Sequence, residues 1–173
     1  MKQLFVGAIR ILRWLRSKYY TFITKRMLRS YGSIGVNGYS HISTTAIVDV
    51  GHHVSFNGMI IQGNGMVKIG NYFHSGTNVK IMLGSHDYDN GEYIPYGEAY
   101  VTKQVEIDDF GWIGSDVIIS GNVHIGEGAI VAIGSVVVKD VPPMAIAGGN
   151  PAKIIKYRNE EHFLQLKEQR KFH

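Results

Sequence analysis

The chain has 173 residues and a formal net charge of +4, with 45% apolar and 18% charged residues, so it can bury one ordinary core and is not composed like a disordered chain. It has no cysteine, which excludes a disulfide framework, thiolate metal ligation and a cysteine nucleophile. The longest run of apolar or small residues, Gly128 to Val138, is eleven residues long, too short to span a bilayer.

The first segment, residues 1–31, carries eight basic side chains and no acid, while the remainder holds 10 basic and 14 acidic groups, a net of −4. Leu4, Ala8, Ile11, Leu15, Tyr19 and Phe22 recur at spacings of three and four, which predicts an amphipathic helix. On a helical wheel Lys2, Arg10 and Arg13 fall opposite that stripe and Arg16 lies at its edge. Two readings follow: the stripe meets an anionic membrane surface, or it packs on the rest of the protein. A signal peptide is not expected, because Arg10, Arg13 and Arg16 break the apolar run, and the default location is cytoplasmic. The acidic body carries no groove-reading motif, so no nucleic-acid partner is expected.

Residues 32–158 read as a repeat. Ile107, Ile113, Ile119, Ile125, Val131 and Val137 share one phase of a strict period of six, each followed by a mostly small residue. Glycine fits such a pattern, at 21 of 173 residues, about 12% against the usual share of roughly 7%. Neither a helix period of 3.6 nor a strand period of 2 explains six, whereas a hexapeptide β-helix does. Each hexad makes a short strand and a corner, and three hexads close a triangular coil with the aliphatic residue pointing inward. Ile69-Gly70, Ser75-Gly76 and Ile81 keep the phase and Ile34-Gly35 opens it, but residues 41–66 do not follow it. Between Leu83 and Gln104 the period vanishes into a polar, aromatic stretch, an extruded loop over 83–104 of the length usually tied to function. After Pro142-Pro143, Asn159 reads as the N-cap of a short C-terminal helix within residues 159–173, placed to cap the final coil.

The hexads, the segment VEIDDFGWIGSDVIISGNVHIGEGAIVAIGSVVVKDVPP and the closing AGGNPAKII together resemble the left-handed β-helix hexapeptide acyltransferases over about residues 34–157. Within that family the chain is most similar to sugar O-acetyltransferases of the galactoside, maltose and surface-polysaccharide type. The resemblance implies an all-β solenoid, a left-handed parallel β-helix, assembled as a homotrimer with acetyl-CoA lying between neighbouring prisms and no metal. It implies transfer of an acetyl group to a hydroxyl of a sugar or cell-surface glycan precursor. The alternative acceptors are a nucleotide-linked amino sugar, by N-acetylation, or an antibiotic. With the basic segment, this implies work at the inner face of the cell membrane.

Such a transfer needs a base for the hydroxyl proton, and a neutral imidazole suits that task. Of eight histidines, His86 alone lies in the non-repeating loop, at the position matching the family's catalytic histidine. Asp87 and the other loop acids are candidates for orienting it. Asn57, Asn64 and Asp87 are the acceptor-side candidates, and Tyr88, Tyr93 and Tyr96 could stack on a sugar or pack the loop. On the donor side the resemblance gives Ser115, Ile133, Val138, Lys139, Lys153 and Lys156, with the lysines facing the nucleotide phosphates. A zinc-dependent β-helix reading needs two histidines five residues apart, and none are.

Overall fold

The computed structural model describes residues 2–173, with side chains from residue 6 onward, so Met1 and the side chains of Lys2 and Leu4 lie outside the described residues. A helix, α1 (Lys2–Lys25), leads into a parallel β-solenoid of about six turns, followed by a short helix, α2 (Glu160–Glu168).

The solenoid has three faces. The first stacks Ser30–Tyr31, Ala46–Val50, Gly65–Ile69, Tyr100–Ile107 and Val123–Ile125. The second stacks Ile34–Val36, Val54–Phe56, His74–Ser75, Trp112–Ile113, Ile130–Val131 and Ala145–Gly149. The third stacks His41–Ile42, Met59–Gln62, Val79–Met82, Ile118–Ser120 and Val136–Val137.

From residue 105 onward the hexad is a strand that points in, out and in, then a three-residue corner. Ile107, Ile113, Ile119, Ile125, Val131 and Val137 are buried to within 1% of completely. A second inward row, Val117, Val123, Ala129, Ser135 and Val141, is buried beside them. Corresponding residues pair eighteen apart here, Ile107 with Ile125 and Ile113 with Val131. Earlier coils are longer: Ile34 pairs with Val54 and Ala46 with Gly65, twenty and nineteen residues on. Those one- or two-residue insertions at the corners are why residues 41–66 break the six-residue phase although Ile42, Val48, Val54, Met59 and Ile61 all point inward.

The corner from the first to the second face carries His53, Tyr72, Phe110 and Met144 at positive φ, in the left-handed region. Stacking the coils therefore stacks their rings: His53 on Tyr72 at 4.8 Å and Tyr72 on Phe110 at 5.2 Å. Gly128 is the next rung, at φ +67, and Phe163 of α2 fills the space its missing side chain leaves. Asn159 N-caps α2 by accepting from the His162 N–H at 2.9 Å. Because Phe163 docks at this corner and Lys167 pairs with Glu127 at 2.6 Å, α2 lies along the side of the solenoid instead of over its last coil. The exposed edge of the second face is covered by Ala152–Tyr157, which folds back antiparallel on Ala145–Gly149.

At the other end α1 rests its last turns on Ile34–Val36. Thr21 Oγ1 accepts the Val36 N–H at 2.8 Å, Thr24 is fully buried, and Tyr20, Met27 and Leu28 pack against the core. Arg29 pairs with Asp49, fixing the junction between helix and first coil, and that guanidinium holds the Asp49 carboxyl below its usual range.

Candidate active site

The loop leaves the corner between the third and first faces as a hairpin: Gly84 pairs with Thr102, Ser85 with Val101 and His86 with Tyr100. Gly84 is needed there, since a Cβ would lie 2.7 Å from the Val101 carbonyl oxygen and run into the Tyr100 ring. His86 thus sits on the last rung of a two-stranded ladder, with its side chain exposed. Tyr96 stacks on the imidazole at 4.0 Å and 18°, and Tyr100 meets it edge-on at 5.6 Å. Two rings thus flank the imidazole, and among the described residues no side chain hydrogen-bonds its nitrogens. Neither contact is readable from spacing alone. Tyr96, a sequence candidate for stacking on a sugar, stacks on the histidine instead, and Tyr100 enters only because the hairpin register places it opposite His86.

Asp87 is engaged within the loop. Its carboxylate accepts the backbone N–H of Asn90 at 2.9 Å, the Asn90 side-chain amide at 3.2 Å and the Asp89 N–H at 3.1 Å. The Asn90 bonds hold the carboxyl below the usual range. Among the described residues no carboxylate hydrogen-bonds the His86 ring. Asparagine at position 87 keeps an oxygen for the same N–H groups, whereas alanine does not. Asp87→Asn is therefore expected to leave the loop ordered and Asp87→Ala to loosen it, read as faster amide exchange at Asp89 and Asn90 in the alanine variant alone. Because the folded carboxyl titrates below the unfolded one, the turn's stabilisation is present above the unfolded value and is lost as pH falls through the folded one.

Asn57 and Ser115 belong to a polar ladder along the corner between the second and third faces. Asn57 Nδ2 donates to the Ser75 carbonyl at 2.8 Å while its Oδ1 accepts from Asn37 Nδ2 at 3.2 Å. Ser115 Oγ accepts the Thr77 N–H at 3.0 Å and the Thr77 hydroxyl at 3.2 Å, which leaves its own hydrogen to donate. Ile133 stands on the same corner, 72% exposed. Asn64, Val138 and Lys139 lie on the other edge of the third face, Asn64 one coil before the loop and Val138 and Lys139 two coils after it, and Val138 is 45% exposed. Lys153 and Lys156 project from the closing hairpin, and among the described residues neither they nor Lys139 make an ion pair.

The candidates therefore divide between the two edges of the third face. That face is two to four residues wide, so at about 3.3 Å per residue its edges stand roughly 10 Å apart. One chain brings His86, Asn64, Val138 and Lys139 together on one edge, and Asn57, Ser115 and Ile133 on the other. A cavity of about 650 Å³ between the C-terminal tail and the second face, lined by Tyr72, Phe110, Trp112, Phe163, Phe172 and others, contains none of them. Among the described residues no three His, Asp or Glu side chains gather as a metal site.

No family model matches the chain. It is 31% identical to the galactoside O-acetyltransferase of Escherichia coli strain K12 over 134 residues, covering 76% of this chain and 58% of that protein. The chain thus spans less than two thirds of the length of the curated relatives it matches. Among solved structures it superposes on a maltose O-acetyltransferase from Clostridium difficile with a TM-score of 0.68 at 26% identity, over 81% of this chain and 75% of that one. It likewise superposes on a hexapeptide-repeat acetyltransferase from Vibrio cholerae with a TM-score of 0.67 at 26% identity, over 82% and 80% of the two chains, and that protein has also been solved in complex with acetyl-CoA.

Proposed function

We propose, since the chain belongs to the hexapeptide-repeat acetyltransferase family, that it moves an acetyl group from acetyl-CoA to a hydroxyl of a sugar or cell-surface glycan precursor. The observation that carries this reading is the exposed His86 imidazole, held between Tyr96 and Tyr100 at the corner it shares with Val138 and Lys139. A neutral imidazole nitrogen takes the acceptor hydroxyl proton as the oxygen attacks the thioester carbonyl. The tetrahedral intermediate then expels the CoA thiolate, which recovers that proton from the imidazolium, leaving the ester, CoA and neutral histidine.

The donor arm runs over Ile133 and Val138, with Ser115 donating to it and Lys139, Lys153 and Lys156 neutralising the nucleotide phosphates. Asn64, beside the loop, is the acceptor-side residue best placed to reach a sugar hydroxyl. Asn57 shapes the opposite corner through its bonds to Asn37 and Ser75, and Asp87 shapes the loop. Because the two edges stand apart in one chain, a complete cleft forms where the third face of one copy meets a neighbour, which supports the homotrimer.

Calorimetric titration with acetyl-CoA tests the donor site, with one site per chain at micromolar affinity expected. Lys153→Glu with Lys156→Glu is expected to weaken that affinity by about tenfold or more at low salt, and much less at high salt. No heat at two temperatures, or an unchanged affinity in the double variant, would overturn the assignment.

A further inference from the structure

We propose that α1 is a membrane-docking element whose outward apolar face lies in the plane of an anionic lipid surface. This stands apart from the acetyl-transfer reading and rests on which side of the helix the solenoid uses. The body holds α1 through Tyr20, Thr21 and Thr24, with Met27 and Leu28 packed on the core just beyond the helix. On a helical wheel Tyr20, Thr21 and Thr24 lie opposite Ala8, Ile11, Leu15, Tyr19 and Phe22. The apolar stripe therefore faces away from the protein, with Ile11 61%, Leu15 50%, Tyr19 61% and Phe22 60% exposed. Leu12 and Trp14 widen it. An outward apolar stripe of this size on a helix about 36 Å long is costly in water unless something covers it.

Charge selects what covers it. No carboxylate occurs in residues 1–31, against eight basic groups. Several cations sit directly over apolar rings: Lys18 over Trp14 at 5.6 Å, Arg26 over Phe22 at 5.7 Å and Lys25 over Tyr31 at 5.0 Å. Rings beside cations match the boundary between acyl chains and phosphates, where aromatic side chains and basic groups are both favoured. Two copies meeting through this same stripe would instead bring the cations that flank it, Lys18 and Lys25 on one side and Arg16 and Arg26 on the other, against their counterparts with no carboxylate in the segment to pair them. Among the described residues no helix is long and apolar enough to cross a membrane, so the docking is in-plane.

The full-length protein is to be floated with vesicles of phosphatidylcholine alone or with about one third phosphatidylglycerol. Binding to the anionic vesicles is expected to be about tenfold tighter or more. Raising the salt from about 0.1 M to 1 M, which shortens the screening length from about 10 to 3 Å, should remove most of that gain. Ile11→Glu with Leu15→Glu, both exposed, is expected to abolish the preference with acetyl-CoA binding and oligomeric mass unchanged. Trp14, in a Trp112→Phe background, should be quenched by bromine-labelled acyl chains. Equal or absent binding to the two vesicles, or a double variant that binds like the parent, overturns the proposal. A double variant of reduced oligomeric mass also overturns it, because the stripe would then belong to a neighbouring copy.

Discussion

Replacing His86 with alanine is expected to lower acetyl transfer by roughly 10²–10⁴-fold, the usual worth of a positioned base, with acetyl-CoA affinity and oligomeric mass unchanged. Mass and affinity should survive because the side chain is exposed and its rung of the hairpin is held by backbone pairing that alanine also makes. The loss should appear in kcat more than in KM, since the proton is shared only as the oxygen attacks. Tyr96→Leu, which removes the stacked ring at 4.0 Å but not the base, should cost less than His86→Ala. The absence of cysteine makes the assay direct, because a thiol reagent sees only released CoA. Turnover within a few-fold of the parent would remove His86 from the role of base.

The largest stability effect is expected from Phe73→Ala, at about 3–5 kcal/mol. Phe73 is fully buried in the middle of the solenoid and meets Phe56 of the preceding coil edge-on at 5.9 Å. Its carbonyl also accepts the Ser55 N–H at 2.8 Å, so the ring is held against a fixed rung. Coils contact only their neighbours, and a cavity here weakens the coupling between the half that bears α1 and the half that bears the donor-side residues. Phe110→Ala, at a half-buried corner, should cost less. Urea unfolding at several protein concentrations separates the coil effect from assembly. A loss under about 1 kcal/mol would mean the interior collapses around the missing ring.

Much of the fold was legible because the signal is local. From Ile107 to Val141 every corner has the same length, so the six-residue phase names each inward residue without any knowledge of the partner coil. Residues 41–66 hid their inward side chains only because their corners are longer, and the pairing of Ile34 with Val54 restores the order. The position of His86 was legible for the opposite reason, as the one histidine in the loop that interrupts the repeat.

What surrounds those residues was not legible. The two asparagines at corners look alike in sequence, yet Asn57 is tied to Asn37 and Ser75 while Asn64 is exposed beside the loop. Tyr96 stacks on His86, and Asp87 turns to its own loop, because the hairpin pairs His86 with Tyr100. Gly128 draws α2 along the side because the ring column on its corner lacks one rung there. The sequence by itself determined the solenoid, its inward residues from Ile107 onward, the helical segments and the stripe on α1, all of which follow from signals within a few residues. Only the tertiary structure decided which corner each candidate occupies, which rings hold His86 and which side of α1 meets the body. Those depend on the hairpin register, the seat of Thr21 on Val36 and the stacking of coils, which join residues 10 to 20 positions apart, and no local pattern records them.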